Sequence, residues 1–239
     1  MSNGSNIWYL EQVNMFDYFC PITHSEERYN KQPKRSFKRA EFIYFNEDSA
    51  DKVFFIDKGA VKIGSYSPDG NELIKAILYP GEIFGELALY GEEKRSDFAQ
   101  AMEPTEICSL SRMEVVSLMY ENMPLNDFFN ALIGQRVVYT QKRMEALLFK
   151  DVRTRIIDYI LEQAMKNGKT LLDGRVLVRN YLTHQEIANY TGASRQTVTS
   201  VLNELRDLGI LDFDRKRIVI RMPEQLKKAA TPPSAGKQA

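Results

Sequence analysis

From Arg39 to Leu110 the apolar residues come in short bursts: FIYF (42–45), KVFFI (52–56), AVKIGSY (60–66) and ELIKAILY (72–79). Each burst is rich in β-branched and aromatic side chains, and each ends at a turn sequence: NEDSAD, DKG, SPDGN or PGE. In SPDGN, Pro68 and Asp69–Gly70 are placed for a hairpin turn. Two further strands are predicted around Asp97–Met102 and Glu106–Leu110. So many short strands at close spacing predict a sandwich or barrel, with a jelly roll the natural candidate. Residues 1–38 show no clear period.

The period then becomes helical. Ser111 is a cap with Glu114 at the capping-box position, for a helix through Tyr120. After Pro124 a long helical stretch follows, interrupted by no Gly or Pro except Gly134. Along it Ile133, Val137, Thr140, Met144 and Leu147 recur at steps of four, three, four and three, the seam of a two-helix coiled coil. A single stripe of this kind suits a second copy in a parallel homodimer, or else the chain's own sheet. Lys150–Asp151 reads as a hinge, and a helix from Val152 to Lys166 stops at NGK (167–169).

LTHQEIANYTGASRQTVTSVLNELRDLGIL (182–211) is the most specific stretch. Thr183 and Glu186 form a T-x-x-E capping box for a helix to Tyr190. Gly192 permits a tight turn, Ser194 caps a second helix to Leu208, and Gly209 stops it. Ile187, Ala188, Val198, Leu202 and Leu205 can pack the two helices together, which leaves Arg195, Gln196, Thr199 and Ser200 on the first exposed turn. In a helix-turn-helix that turn enters the major groove, where arginine reads guanine and glutamine reads adenine. Thr183, His184 and Gln185 open the first helix, where side chains and N–H groups can hold a phosphate. LDFDRKRIVI (211–220) reads as a hairpin wing with Arg215, Lys216 and Arg217 at its tip.

Charge supports this division. The net charge is zero, yet residues 1–150 carry 17 Lys and Arg against 22 Asp and Glu, and residues 151–239 carry 15 against 10. The basic C-terminal part suits a polyanion. Two distant cysteines, Cys20 and Cys108, make neither a disulfide framework nor an iron–sulfur site and suit a reducing compartment. Two histidines make a His-rich metal site unsuitable, so no metal is expected. No apolar run approaches the roughly 18 residues of a membrane span, and the N-terminus has no secretory pattern, so a cytoplasmic protein is expected.

PGEIFGELALYGEEKRS (80–96) holds a glycine, two kinds of charge and a serine in one patch. Together with the strands, the long helix and the winged motif, it resembles the CRP/FNR family of bacterial transcription regulators over nearly the whole chain. The resemblance implies an α+β protein: an N-terminal jelly-roll-like β domain (1–123), a dimerisation helix and hinge (124–150) and a C-terminal winged helix-turn-helix domain (151–222). Residues 223–239 are expected to be disordered. No catalytic residue is expected, since no cysteine or histidine lies near Glu86 and Arg95 in sequence.

The resemblance also implies a cyclic-nucleotide cassette. Arg95 offers a planar fork to two phosphate oxygens and Ser96 adds a hydroxyl. Gly85 admits the ligand to the main chain, and N–H groups at Glu86, Leu87 and Ala88 face an anion. The Glu86 carboxylate can accept from a ribose 2′-OH. The other reading of the patch is a bent loop in which Glu86 and Arg95 merely pair. By counting from Ser96, Thr140 matches the family's adenine-bonding position, and Arg136 lies one turn earlier. Gln141 stands where cAMP-responsive members carry a hydroxyl, a departure that puts the cross-subunit contact in doubt. The ligand expected is cAMP, with cGMP, a cyclic dinucleotide, a haem-bound gas or no ligand as alternatives. Arg195 matches the guanine-reading arginine, whereas Gln196 and Ser200 replace the family's glutamate and arginine. A palindromic operator with a different half-site is therefore expected, with RNA polymerase as a further partner.

Overall fold

The structure, a computed structural model, describes residues 34–230 except Asn180 and Arg215. The chain forms two compact units, one ending at Val138 and one beginning at Tyr139. Among the described residues no helix is long and apolar enough to cross a membrane.

The first unit is built on β1 (Arg35–Phe37), β2 (Phe42–Tyr44), β3 (Lys52–Lys58), β4 (Val61–Tyr66), β5 (Glu72–Leu78), β6 (Ile83–Phe84), β7 (Phe98–Ala101) and β8 (Thr105–Ser111). These make two four-stranded antiparallel sheets, ordered β1-β8-β3-β6 and β2-β7-β4-β5. The run VFFI in β3 shows why the fold closes. Successive side chains on a strand point to opposite faces. Phe54 and Ile56 join Val61, Ile63, Ala76, Leu78 and Ala99 of the other sheet in the sandwich core. Val53 and Phe55 turn outward into a second core, closed by two helices. These are α1 (Arg112–Glu121), opened by the Ser111–Glu114 capping box, and the first half of α2 (Met123–Phe149). Val115, Leu118, Leu125, Phe128, Phe129 and Leu132 supply that cover. Cys108 of β8 is buried and disulfide-bonded, which removes the support that cysteine usage gave to a reducing compartment. Cys20, the other cysteine, lies outside the described residues.

The α2 seam is uncovered. Val137, Met144 and Leu147 are 52%, 57% and 52% exposed, so the stripe does not pack on the chain's own sheet.

The second unit contains the end of α2, then α3 (Val152–Asn167), β9 (Gly168–Thr170), β10 (Val176–Arg179), α4 (His184–Thr191), α5 (Arg195–Asp207), β11 (Leu211–Phe213), β12 (Arg217–Ile220) and α6 (Pro223–Ala229). Ile156, Ile157, Ile160, Ile187, Ala188, Val198, Leu202, Leu205 and Ile218 form its interior. Two expectations need correcting. The wing is half of a four-stranded sheet ordered β11-β12-β10-β9, not an isolated hairpin. The segment expected to be disordered from residue 223 begins with a helix, because Leu226 is fully buried and Pro223 suits a first helical position. Residues 231–239 lie outside the described residues.

Candidate ligand cassette and nucleic-acid interface

The cassette begins where β6 ends. Gly85 has φ +75°, the left-handed region that glycine alone enters cheaply. A 3-10 turn, Glu86–Tyr90, follows, and Gly91 at φ +98° closes it. The sequence reading gave Gly85 the task of admitting a ligand. The structure gives it a further one: a Cβ there would stand 3.0 Å from Arg95 Nη1 and 3.1 Å from Lys52 O. The glycine therefore makes room for the arginine.

Arg95 is only 1% exposed, the largest fully buried side chain described. Its guanidinium lies over the rings of Tyr44 and Phe54, 4.6 and 5.7 Å from their centroids. Nη1 donates to Gly85 O at 3.0 Å and Nη2 donates to Lys52 O. Burying a charge is costly unless acceptors replace water, and here two carbonyls and two π faces do so. Nε has no hydrogen-bond partner among the described residues.

The loop's carboxylates are divided between two arginines. Glu86, buried, meets Arg136 Nε of α2 at 3.0 Å, and Arg136 Nη2 donates to Ile83 O at 2.7 Å. The pairing of Glu86 with Arg95 considered above does not occur. Arg95 Nη1 instead lies 3.5 Å from Glu92 Oε2. Glu92 Oε1 accepts from Ser96 N at 3.0 Å and from Ser96 Oγ at 2.7 Å. Ala88 is buried and its N–H turns back to Gly85 O at 3.3 Å, while Leu87 is largely exposed. Beneath the loop, Tyr44 OH donates to Asp97, which burial pushes above the usual carboxylate range. Burial, aided by the Asp97 charge, raises the Tyr44 hydroxyl well above its ordinary value. Both groups are thus held in their hydrogen-bonding roles. The structure brings together Gly85, Glu86, Arg95, Ser96 and Arg136. Thr140 and Gln141 belong to the second unit, and both are exposed. Glu92 was missed, although its place four residues before Ser96 was visible.

In the second unit the helix-turn-helix forms as its caps specify. Thr183 Oγ1 accepts from Glu186 N and the Glu186 carboxylate accepts from Thr183 N, closing the capping box. Gly192 has φ +65°, and Ser194 Oγ accepts from Thr197 N at 3.0 Å. Val198, Leu202 and Leu205 are buried, while Arg195, Gln196 and Ser200 are exposed together at the start of α5. Thr199 differs from its expected role. Its hydroxyl donates to Arg195 O at 3.0 Å and sits 2.9 Å from His184 Nδ1. The His184 ring lies 5.7 Å from that of Phe213 in the wing. Thr199 and His184 therefore brace the helix pair against the wing. Burial, then Arg195, lowers the His184 pKa below its ordinary value. Gln185 is exposed and its amide donates to Asn189. At the wing tip Arg217 is drawn onto Asp214 at 2.7 Å, Lys216 is exposed, and Arg215 lies outside the described residues.

A polar cluster fastens the end of α2 to this motif. Tyr139 OH and Tyr190 OH donate to the two oxygens of Glu162 at 2.9 and 2.8 Å. Arg143 donates to Tyr190 O and lies 4.2 Å over its ring. Arg155 donates to Thr191 O and Gly192 O in the turn itself. Burial raises the Tyr139 hydroxyl, so this donor stays protonated. No group of three or more His, Cys, Asp or Glu among the described residues could hold a metal ion.

A buried arginine beneath a glycine loop, a long helix and a capped helix-turn-helix define a ligand-sensing DNA-binding regulator. Residues 34–122 match the cyclic nucleotide-binding domain family and residues 154–229 the Crp-like helix-turn-helix domain family. The chain is 30% identical to the global nitrogen regulator of Nostoc sp. over 82% of its length and 88% of that protein. It is 28% identical to the CRP-like cAMP-activated global transcriptional regulator of Mycobacterium tuberculosis, over 81% of this chain and 86% of that one. The solved structure of FixK2 from Bradyrhizobium japonicum superposes with a TM-score of 0.75 at 22% identity, covering 84% of this chain and 98% of that one. The chain belongs to the CRP/FNR family of transcription regulators. Its named relatives are regulators, not enzymes.

Proposed function

We propose that the chain works as a homodimer in the bacterial cytoplasm, binding a palindromic operator under the control of cAMP held in the Gly85–Ser96 cassette. The observation that carries the ligand reading is Arg95, 1% exposed and with no hydrogen-bond partner at Nε, set in a stretch that matches a cyclic nucleotide-binding domain. A phosphate diester suits the planar fork and the neighbouring Ser96 hydroxyl. Glu86 suits a ribose hydroxyl, and Thr140 the base. The relative from M. tuberculosis is named as cAMP-activated, in keeping with that choice. Exposed Val137, Met144 and Leu147 supply the apolar stripe that a second copy would cover.

The path to DNA runs along α2. Arg136 on this helix pairs with the cassette's Glu86, and one turn later Tyr139 and Arg143 grip Glu162 and Tyr190. Ligand that changes how α2 is held is passed to α4 and its turn, and so to Arg195, Gln196 and Ser200. It changes DNA affinity only by as much as its affinity differs between the two arrangements. RNA polymerase is the further partner that regulation requires.

The test is operator selection from random duplexes followed by fluorescence anisotropy with and without cAMP. Two half-sites about one helical turn apart, and affinity at least about tenfold higher with cAMP, are expected. Operator affinity indifferent to every nucleotide contradicts the reading. A guanine nucleotide is the second reading, because Arg136 reaches the cassette and guanine O6 and N7 match a guanidinium fork.

A further inference from the structure

We propose that Glu92 is a built-in competitor for the phosphate position, a carboxylate that the ligand must displace. This rests on the cassette reading given above. The groups that reading assigns to phosphate are the Arg95 fork and the Ser96 hydroxyl, and both already face one carboxylate. Glu92 Oε1 accepts from Ser96 Oγ at 2.7 Å and from Ser96 N at 3.0 Å, and Oε2 lies 3.5 Å from Arg95 Nη1. A carboxylate holding a hydroxyl, a backbone N–H and a guanidinium copies the recognition of a phosphate oxygen pair.

The competitor is local and movable. Glu92 sits four residues before Ser96 in the same loop, just past Gly91, whose φ of +98° gives the chain its turn there. Its side chain is 13% exposed, against 1% for Arg95, so it lies on the solvent side of a buried cation. Arg95 is anchored from beneath by Gly85 O and Lys52 O, so its place does not depend on Glu92. Removing the carboxylate should leave the guanidinium where it is and free the Ser96 donors. A bound phosphate diester and an unmoved Glu92 would set two negative charges against the same donors, so entry requires the side chain to swing out. The consequence is a threshold. Weak monovalent anions meet donors that are already satisfied, and only a ligand that also engages Glu86 gains enough to displace the carboxylate.

Calorimetric titration of the full chain with cAMP and with cGMP, for wild type, Glu92→Gln and Glu92→Ala, tests this. Thermal unfolding run in parallel establishes that each variant is folded. Binding of cAMP or cGMP at least about tenfold tighter in Glu92→Ala is expected, with Glu92→Gln intermediate because its amide oxygen still accepts without the charge. Equal or weaker binding by both folded variants, with wild type binding normally, overturns the competitor while the cassette reading stands. No binding of either nucleotide by wild type or variants overturns the cassette reading and this inference with it.

Discussion

Arg95→Leu separates what this arginine does for the fold from what it does for a ligand. The substitution strips donors from two carbonyls, Gly85 O and Lys52 O, and removes a cation from the faces of Tyr44 and Phe54. Each orphaned buried acceptor costs about 1–3 kcal/mol, and a desolvated cation–π contact contributes about 2 kcal/mol. Leucine recovers part of this, since it fits among aromatic rings and no longer buries a charge, a favourable contribution of about 1.5–3 kcal/mol. The net loss is about 2–4 kcal/mol, confined to the first unit. For a unit of this size that lowers the midpoint by about 10 °C. Differential scanning calorimetry of the full chain reads it, because two units need not unfold as one. The transition of the first unit should fall while that of the second stays in place. Arg95→Lys should rescue little, since an ammonium lacks the planar fork that reaches both carbonyls. A first-unit midpoint unchanged to within about 2 °C would refute the anchoring argument. Retained cAMP binding in a folded Arg95→Leu variant would refute the arginine's role as the phosphate donor.

Three further outcomes follow from the second unit. Gln196→Glu should move base preference at one operator position from adenine toward cytosine by about 1–3 kcal/mol, read by repeating site selection, and an unchanged half-site would mean Gln196 reads no base. Gly192→Ala should destabilise the helix-turn-helix by about 1–2 kcal/mol, because φ is +65° and the new methyl would stand 3.0 Å from Leu147 Cδ2; urea unfolding checks this. His184, whose folded pKa is held below its ordinary value by burial and Arg195, binds its proton more readily in the unfolded chain. Its contribution is therefore fully present above the ordinary histidine value of about 6.5 and is lost as pH falls toward the folded pKa. The second unit's midpoint should drop on acidification through that window, and His184→Gln should flatten the drop.

Much of this was legible in the chain. The apolar bursts gave β2, β3, β4, β5, β7 and β8, and the caps at Ser111, Thr183 and Ser194 gave three helix starts, because both signals are local. Strands β1 and β6 are three and two residues long, too short to show a period, and β9 and β10 are defined by pairing with each other and β12. Helix α6 hid in a polar segment because a single residue, Leu226, anchors it. At the cassette the residue types were readable and their partners were not. Arg95 was read as a ligand's fork, yet its anchors are Lys52 O, 43 positions away, and rings on β2 and β3. Glu86 finds Arg136 and Thr199 finds His184 for the same reason: tertiary contact, not spacing, decides which polar group meets which.

The central claim is that the Gly85–Ser96 loop holds a cyclic nucleotide. Calorimetric titration of the purified full chain with cAMP, with cGMP and cyclic di-GMP alongside, tests it most directly. The account expects saturable micromolar binding of cAMP, one site per chain. Flat titrations with all three nucleotides would contradict it and leave a DNA-binding regulator whose signal is of another chemical class.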